Sequence, residues 1–337
     1  MSGMSRRVPR PTELVALVSF DGELRENQAV TRERLAHPQP PPRPLSAAVE
    51  RWLGLRRLTW FEMDGRQITG IATAQTLGTR DAWHIDTLID ARPLEHARDA
   101  QVPERLLQQV AESAAAARVG HVLLRTPAEG PVVQGALRAG FAHAQAERLW
   151  AGELRAPTGW DPQSVLVREA EAADAPELFR LYNRAVPVDA RRALAMTQEE
   201  WSALDERRWL GRRGRRWLAE AGGRVVAALH VSGQGSSGQI ELLCEPAGTS
   251  TGNGEVPARL DLGRDGGAAL LAWAAEATAR CEQVIALVPS AAGVVEGLLR
   301  EHGLAPGREL RLLALRTRRL VGEPARQRAG VAVPTGS

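Results

Sequence analysis

The chain has 337 residues, 44% of them apolar and 25% charged, the make-up of a globular protein long enough for two domains. Its 43 basic residues are all Arg and nearly balance 40 acidic ones. The isoelectric point near 9.6 therefore reflects permanent guanidinium charge, as in an Arg-rich proteome, and nucleic acid is not the expected partner. Two cysteines, Cys244 and Cys281, exclude a disulfide framework and make no metal site, and no apolar run reaches the ~18 residues of a membrane span.

Residues 1–12 are Arg- and Pro-rich and lack a signal-type apolar core, so a cytoplasmic location is expected. The run 36–44 favours polyproline II. A strand is expected over 58–63, a hairpin turn at Asp64 and Gly65, and a return strand over 67–77. A third strand follows at 83–89. Leu106, Leu107, Val110, Ala114 and Ala117 mark a helix over 103–118. A short strand at 121–125, a short helix at 132–139 stopped by Gly140, and a closing strand over 141–150 end the first half. Residues 153–163 form a linker between a domain at 13–152 and one at 164–320, and 322–337 is a disordered tail.

The second half opens with a strand at 165–168. Asp174 is placed to cap a helix over 175–185, with Pro176 in its first turn. Thr197 and Glu200 have the spacing of a capping box. A hairpin over 217–231 turns at Gly222 and Gly223, and a strand follows at 239–244. After a Gly-, Pro- and Ser-rich loop comes an Ala-rich helix over 265–280, then a strand (284–288), a helix (292–302) and a final strand (309–315).

The two halves repeat one order. Asp64-Gly65-Arg66 corresponds to Gly222-Gly223-Arg224, Asp86 to Glu241, 122–127 to 284–289, and Gly135-Ala136-Leu137-Arg138 to Gly297-Leu298-Leu299-Arg300. The later pairs lie 155 (241 − 86) and 162 (289 − 127) positions apart. A repeat of this length is a duplicated domain.

Each unit reads as strand, hairpin, strand, long helix, strand, short helix ending in Gly, and last strand. That order resembles the GNAT superfamily of acetyl-CoA-dependent N-acetyltransferases. The similarity is fuller in the second unit, with VLVREAEAADAPELFRLYNRAVP at its start and LLREHGL near its end, and GALRAGF matching in the first. The resemblance implies an α/β fold of two tandem domains, each a mixed, mostly antiparallel central sheet flanked by helices.

It also implies acetyl-CoA as co-substrate, with no metal, and a small-molecule or peptide primary amine as acceptor. A non-catalytic GNAT-fold ligand-binding or interaction protein is the alternative, and a monomer or homodimer is expected. The family's phosphate loop has the form [Q/R]-x-x-G-x-[G/A], and Arg264-Asp265-Gly266-Gly267-Ala268-Ala269 fits it by letter. Asp265 sits badly there, and an ordinary Gly-rich helix start reads equally well. With Leu242 and Leu243 of the preceding strand, Arg264, Gly266, Gly267, Ala268 and Ala269 are the expected CoA-binding residues. The first unit has no such loop in 91–103.

Glu241, on the fourth strand of the second unit, is the expected base; a solvent-facing carboxylate is the bland alternative. The family's acid, a Tyr in the short last helix, is missing in both units. Tyr182 is the chain's single Tyr, and His302 and Ser290 are weak substitutes. The cluster over 207–216 carries six Arg, open to a nucleic acid, a CoA phosphate or plain solvation. A cradle of this kind needs Gly266 and Gly267 to line a cleft, and two separate units need a sheet each.

Overall fold

A computed structural model describes residues 26–32, 35, 57–65, 67–77, 82–92, 100–157, 165–204, 214–234, 236–248 and 261–317. The expected tails, the polyproline run and most of the loop before 261 lie outside the described residues.

In the first unit β1 (Arg57–Asp64), β2 (Gln67–Thr76) and β3 (Ala82–Asp90) form an antiparallel meander. Helix α1 (Gln101–Ala116), β4 (His121–Pro127), helix α2 (Pro131–Arg138) and β5 (Ala142–Gly152) follow. The second unit has β6 (Leu166–Glu169), a 3-10 turn (Ala172–Asp174), α3 (Ala175–Ala185), α4 (Val188–Ala193) and α5 (Gln198–Ala203). Then come β7 (Arg215–Ala221), β8 (Arg224–Gln234), β9 (Ser237–Cys244), α6 (Leu262–Ala277), β10 (Gln283–Pro289), α7 (Gly293–Glu301) and β11 (Leu304–Arg316).

Local chemistry explains most of these boundaries. Ala221 and Arg224 pair across Gly222 and Gly223, both at positive φ (58° and 74°), which is what a two-residue turn between twisted strands demands. The Thr197 hydroxyl accepts from Glu200 N–H at 3.2 Å, while Glu200 accepts from Thr197 N–H at 3.3 Å, so the capping box forms as spaced. Asp174 instead belongs to the preceding turn: its carboxylate accepts from Glu171 N–H and pairs with Arg168 at 2.7 Å. Helix α4 carries no periodicity long enough to announce it and was not expected.

Two sheets are expected and one is found among the described residues. The eleven strands lie in the order β1-β2-β3-β4-β11-β5-β10-β9-β8-β7-β6. The closing strands have changed places: β11 of the second unit pairs with β4 of the first, and β5 of the first pairs with β10 of the second. They also pair with each other. All these contacts are antiparallel backbone ladders, which any strand of suitable length can supply.

Alternation divides the sheet's two faces. On β9, Ile240 and Cys244 join the core under α6 and α7, whereas Leu243 packs with α3. Helices α1 and α2 cover the same face of the first unit, α1 through Leu106, Leu107 and Val110 and α2 through Val132 and Ala136. On the other face α3 buries Leu178 and Leu181, and Leu194 and Ala203 pack on Leu123 and Leu312. The helices of the second unit thus reach over the strands of the first.

A candidate acceptor chamber at the join of the two units

Strands β3 and β4 run parallel, and their ladder stops after four pairs, at Ile85 and Leu124. Strands β9 and β10 do the same, stopping at Ile240 and Ala286. These ends stand 155 (240 − 85) and 162 (286 − 124) residues apart, the offsets of the repeat. Beyond them the strands diverge, leaving a splay in each unit.

In the first unit the chain fills its own splay. Asn27 donates through Nδ2 to Asp86 O (3.0 Å) and accepts Leu88 N–H on Oδ1 (2.8 Å). Gln28 N–H donates to Leu88 O (2.9 Å) and Val30 N–H to Arg125 O (2.8 Å). This strap, residues 26–32, bridges β3 and β4 where they no longer bond to each other. Val30 and Leu35 then bury their side chains against Ile285, Leu287 and Leu310. Nothing in the composition of 26–32 marks it as a structural element, so sequence periodicity misses it. Asp86, the counterpart of Glu241, is buried and accepts the Thr73 hydroxyl. His84 is buried on the same strand.

In the second unit Glu241, Leu242, Leu243 and Cys244 lie past the end of the ladder. Glu241 and Leu243 face the α3 side, where a cavity of about 210 Å³ opens between sheet and helices. Its walls come from both units: Arg125 and Glu147 from the first, Tyr182, Trp201, His230 and Glu241 from the second, with apolar side chains between them. Arg32, at the end of the strap, also lines it.

The charges are ordered. Arg125 and Glu147, 0% and 1% exposed, pair at 2.6 Å across the intervening β11. A guanidinium buried so fully is tolerated because a carboxylate meets it. The Arg32 guanidinium lies 3.5 Å from Glu241 and 3.9 Å from Glu147. Burial pushes the Tyr182 phenol up to about 12, and its hydroxyl donates to Ala195 O at 3.3 Å. His302 and Ser290 are not among the lining residues: His302 caps the end of α7 and burial lowers its pKa, while Ser290 lies just past β10 and is exposed.

The expected phosphate loop takes a different form. Helix α6 starts at Leu262, not Asp265, because Asp261 accepts Arg264 N–H at 3.1 Å as its cap. Arg264, Gly266, Gly267, Ala268 and Ala269 therefore lie in the helix. Gly266 and Gly267 are buried against the sheet rather than lining a cleft: a Cβ on Gly266 would sit 2.9 Å from Val226 Cγ2, and one on Gly267 2.6 Å from Leu298 Cδ1 and 2.7 Å from Cys244 Sγ. They set how closely α6 approaches the strands. Ala269 is likewise buried. The glycine at the junction is Gly263, where a Cβ would lie 2.1 Å from the Glu245 carbonyl oxygen. Arg264 points outward and pairs with Glu301 at 2.5 Å.

Of the Arg cluster, 207–213 lies outside the described residues. Arg215 sits over the Trp217 ring, 5.1 Å from its centroid, and Arg216 lines the chamber. Among the described residues, no helix is long and apolar enough to cross a membrane.

No family model matches the chain, and no curated protein matches it. Several solved structures are similar to it in fold. One is a tandem GNAT protein from the clavulanic acid biosynthesis pathway, 13% identical over 93% of this chain and 98% of that one, with a TM-score of 0.45. A GCN5-related N-acetyltransferase from Sphaerobacter thermophilus is 12% identical over 88% and 96%, with a TM-score of 0.48. N-myristoyltransferase of Saccharomyces cerevisiae, solved with bound myristoyl-CoA, is 12% identical over 92% and 81%, with a TM-score of 0.47. Likenesses this distant concern fold alone. In its own order of strands and helices, given twice with the same splay in each copy, the chain is an α/β protein of two like units joined in one mixed, mostly antiparallel sheet.

Proposed function

We propose that the chain is an acyltransferase that moves an acetyl group from acetyl-CoA to a primary amine, with its second unit as the acyl-CoA site. One observation carries this reading: among the described residues no backbone hydrogen bond bridges the splay between β9 and β10, which lies beside the chamber that holds Glu241, whereas its twin is filled by the strap. The thioester supplies an activated acetyl carbon and a thiol leaving group. A pantetheine arm is an extended amide chain, and the edge of Glu241–Cys244 that faces β10, opposite its ladder to β8, is a matching hydrogen-bonding edge. Leu242 and Leu243 would flank it on either face.

The phosphate end would meet the start of α6, where the helix dipole favours an anion, and it would have to displace Asp261 from the Arg264 N–H and Glu301 from the Arg264 guanidinium. Gly266, Gly267, Ala268 and Ala269 serve by keeping that helix close to the sheet. In the reaction the C–N bond forms and the C–S bond breaks. One ammonium proton passes to Glu241, directly or through water, and the second N–H proton ends on the departing sulfur. Backbone N–H groups of β9 are the donors available to the developing oxyanion.

Calorimetry with acetyl-CoA on the intact chain, paired with thiol release over an amine panel, tests this. Micromolar binding is expected, and Glu241→Gln should cut turnover at least tenfold while leaving acetyl-CoA affinity within about twofold. Absence of heat at millimolar acetyl-CoA overturns the proposal. Binding without turnover on any amine leaves the ligand-binding alternative.

A further inference from the structure

We infer that the acceptor carries a carboxylate beside its amine, on a small apolar body, and that Arg32 is the residue that reads it. This rests on the acyl-transfer reading of the same chamber. Arg32 is supplied by neither unit's sheet. It is presented by the strap, whose backbone and Asn27 side chain are fixed by hydrogen bonds to Asp86, Leu88 and Arg125 and whose Val30 is buried. The side chain is 20% exposed and reaches the chamber, where two carboxylates stand within ion-pair range, Glu241 at 3.5 Å and Glu147 at 3.9 Å.

The two carboxylates differ in exposure. Glu147 is held by Arg125 at 2.6 Å and is almost wholly buried. Glu241 is 18% exposed at the mouth of the splay and shares Arg32 at the looser distance. A carboxylate brought in by the acceptor competes with Glu241 for Arg32, and a guanidinium binds such a group in a two-pronged fork. Its ammonium would then face Glu241. The same molecule thus satisfies both charges, and a plain amine leaves Arg32 on Glu241.

The chamber's charged lining supports an anion-bearing acceptor: Arg32, Arg125 and Arg216 against Glu147 and Glu241. The remaining wall is mostly apolar, with Leu178, Val186, Leu194, Leu204 and Leu312. A volume of about 210 Å³ lies below that of pockets for drug-sized ligands, so the body is small. An aliphatic amino acid of leucine's size has these properties.

N-acetylleucine and N-isopentylacetamide, the matching product without the carboxylate, are the probes. Their binding is measured by calorimetry without CoA, on the full chain and on Arg32→Met and Arg32→Lys. The expected result is at least tenfold tighter binding of N-acetylleucine to the parent chain. Arg32→Met should abolish that preference and Arg32→Lys restore part of it. Equal binding of the two probes, or a preference that survives in Arg32→Met, overturns the inference. The preference together with no acetyl-CoA heat keeps the carboxylate subsite and removes acyl transfer; acetyl-CoA binding without the preference does the reverse. Far-UV circular dichroism on each variant separates loss of the subsite from loss of the fold.

Discussion

Replacing Glu147 with Ala tests whether the buried charge at the join is a matched pair. Arg125 is fully enclosed, and Glu147 Oε2 lies 2.6 Å from its Nε, with Oε1 3.4 Å from a second guanidinium nitrogen. Removing one partner of such a pair strands the other charge at about 3–5 kcal/mol. For a urea dependence of ~3 kcal/mol per M, the unfolding midpoint should fall by about 1 to 1.7 M. The assay is urea unfolding followed by circular dichroism and by Trp fluorescence. Both signals should shift together, because Trp60, Trp83 and Trp150 of the first unit and Trp201, Trp217 and Trp273 of the second belong to one sheet and its cover. The double variant Arg125→Met with Glu147→Leu should regain most of the loss, since an apolar pair of similar volume replaces the ions. A single variant within 1 kcal/mol of the parent, or a double variant no better than the single, would refute the reasoning.

Thiol chemistry should separate the two cysteines. Cys244 is buried, and burial pushes its thiol well up, while Cys281 is half-buried. Ellman's reagent on the folded protein at pH 8 should label Cys281 first and Cys244 only after urea; equal rates would contradict the placement. Acid should act through Asp174, whose carboxyl is held below its ordinary 3.8, first by the hydrogen bond from Arg168. A group depressed in the folded state stabilises above its unfolded value and loses that contribution as pH falls through its folded one. Asp174→Asn should therefore flatten the decline in stability below about pH 4, and an unchanged slope would exclude Asp174 as a source of it.

The sequence decided what depends on neighbours along the chain. Turn residues with positive φ at Gly222 and Gly223, the Thr197 capping box, the strand and helix periods, and the doubling with offsets of 155 and 162 are all legible there and all present in the structure. Alternation along β9 likewise puts Glu241 on the face opposite Ile240 and Cys244. Arg264-Ala269 matched a motif by letter, yet a letter match does not say which way a glycine points. A cap three residues upstream of Arg264, at Asp261, turned Gly266 and Gly267 onto the sheet.

Tertiary structure alone decided which strand closes which unit, that residues 26–32 lie in the first splay, and that Arg32 meets Glu241 across a chamber walled by both halves. The reason is physical. Periods and caps are set by bonds within a few residues, whereas a strand edge offers the same row of N–H and C=O groups to any partner. Which partner arrives depends on how the remaining surfaces bury one another, and that is settled only when the whole chain has folded.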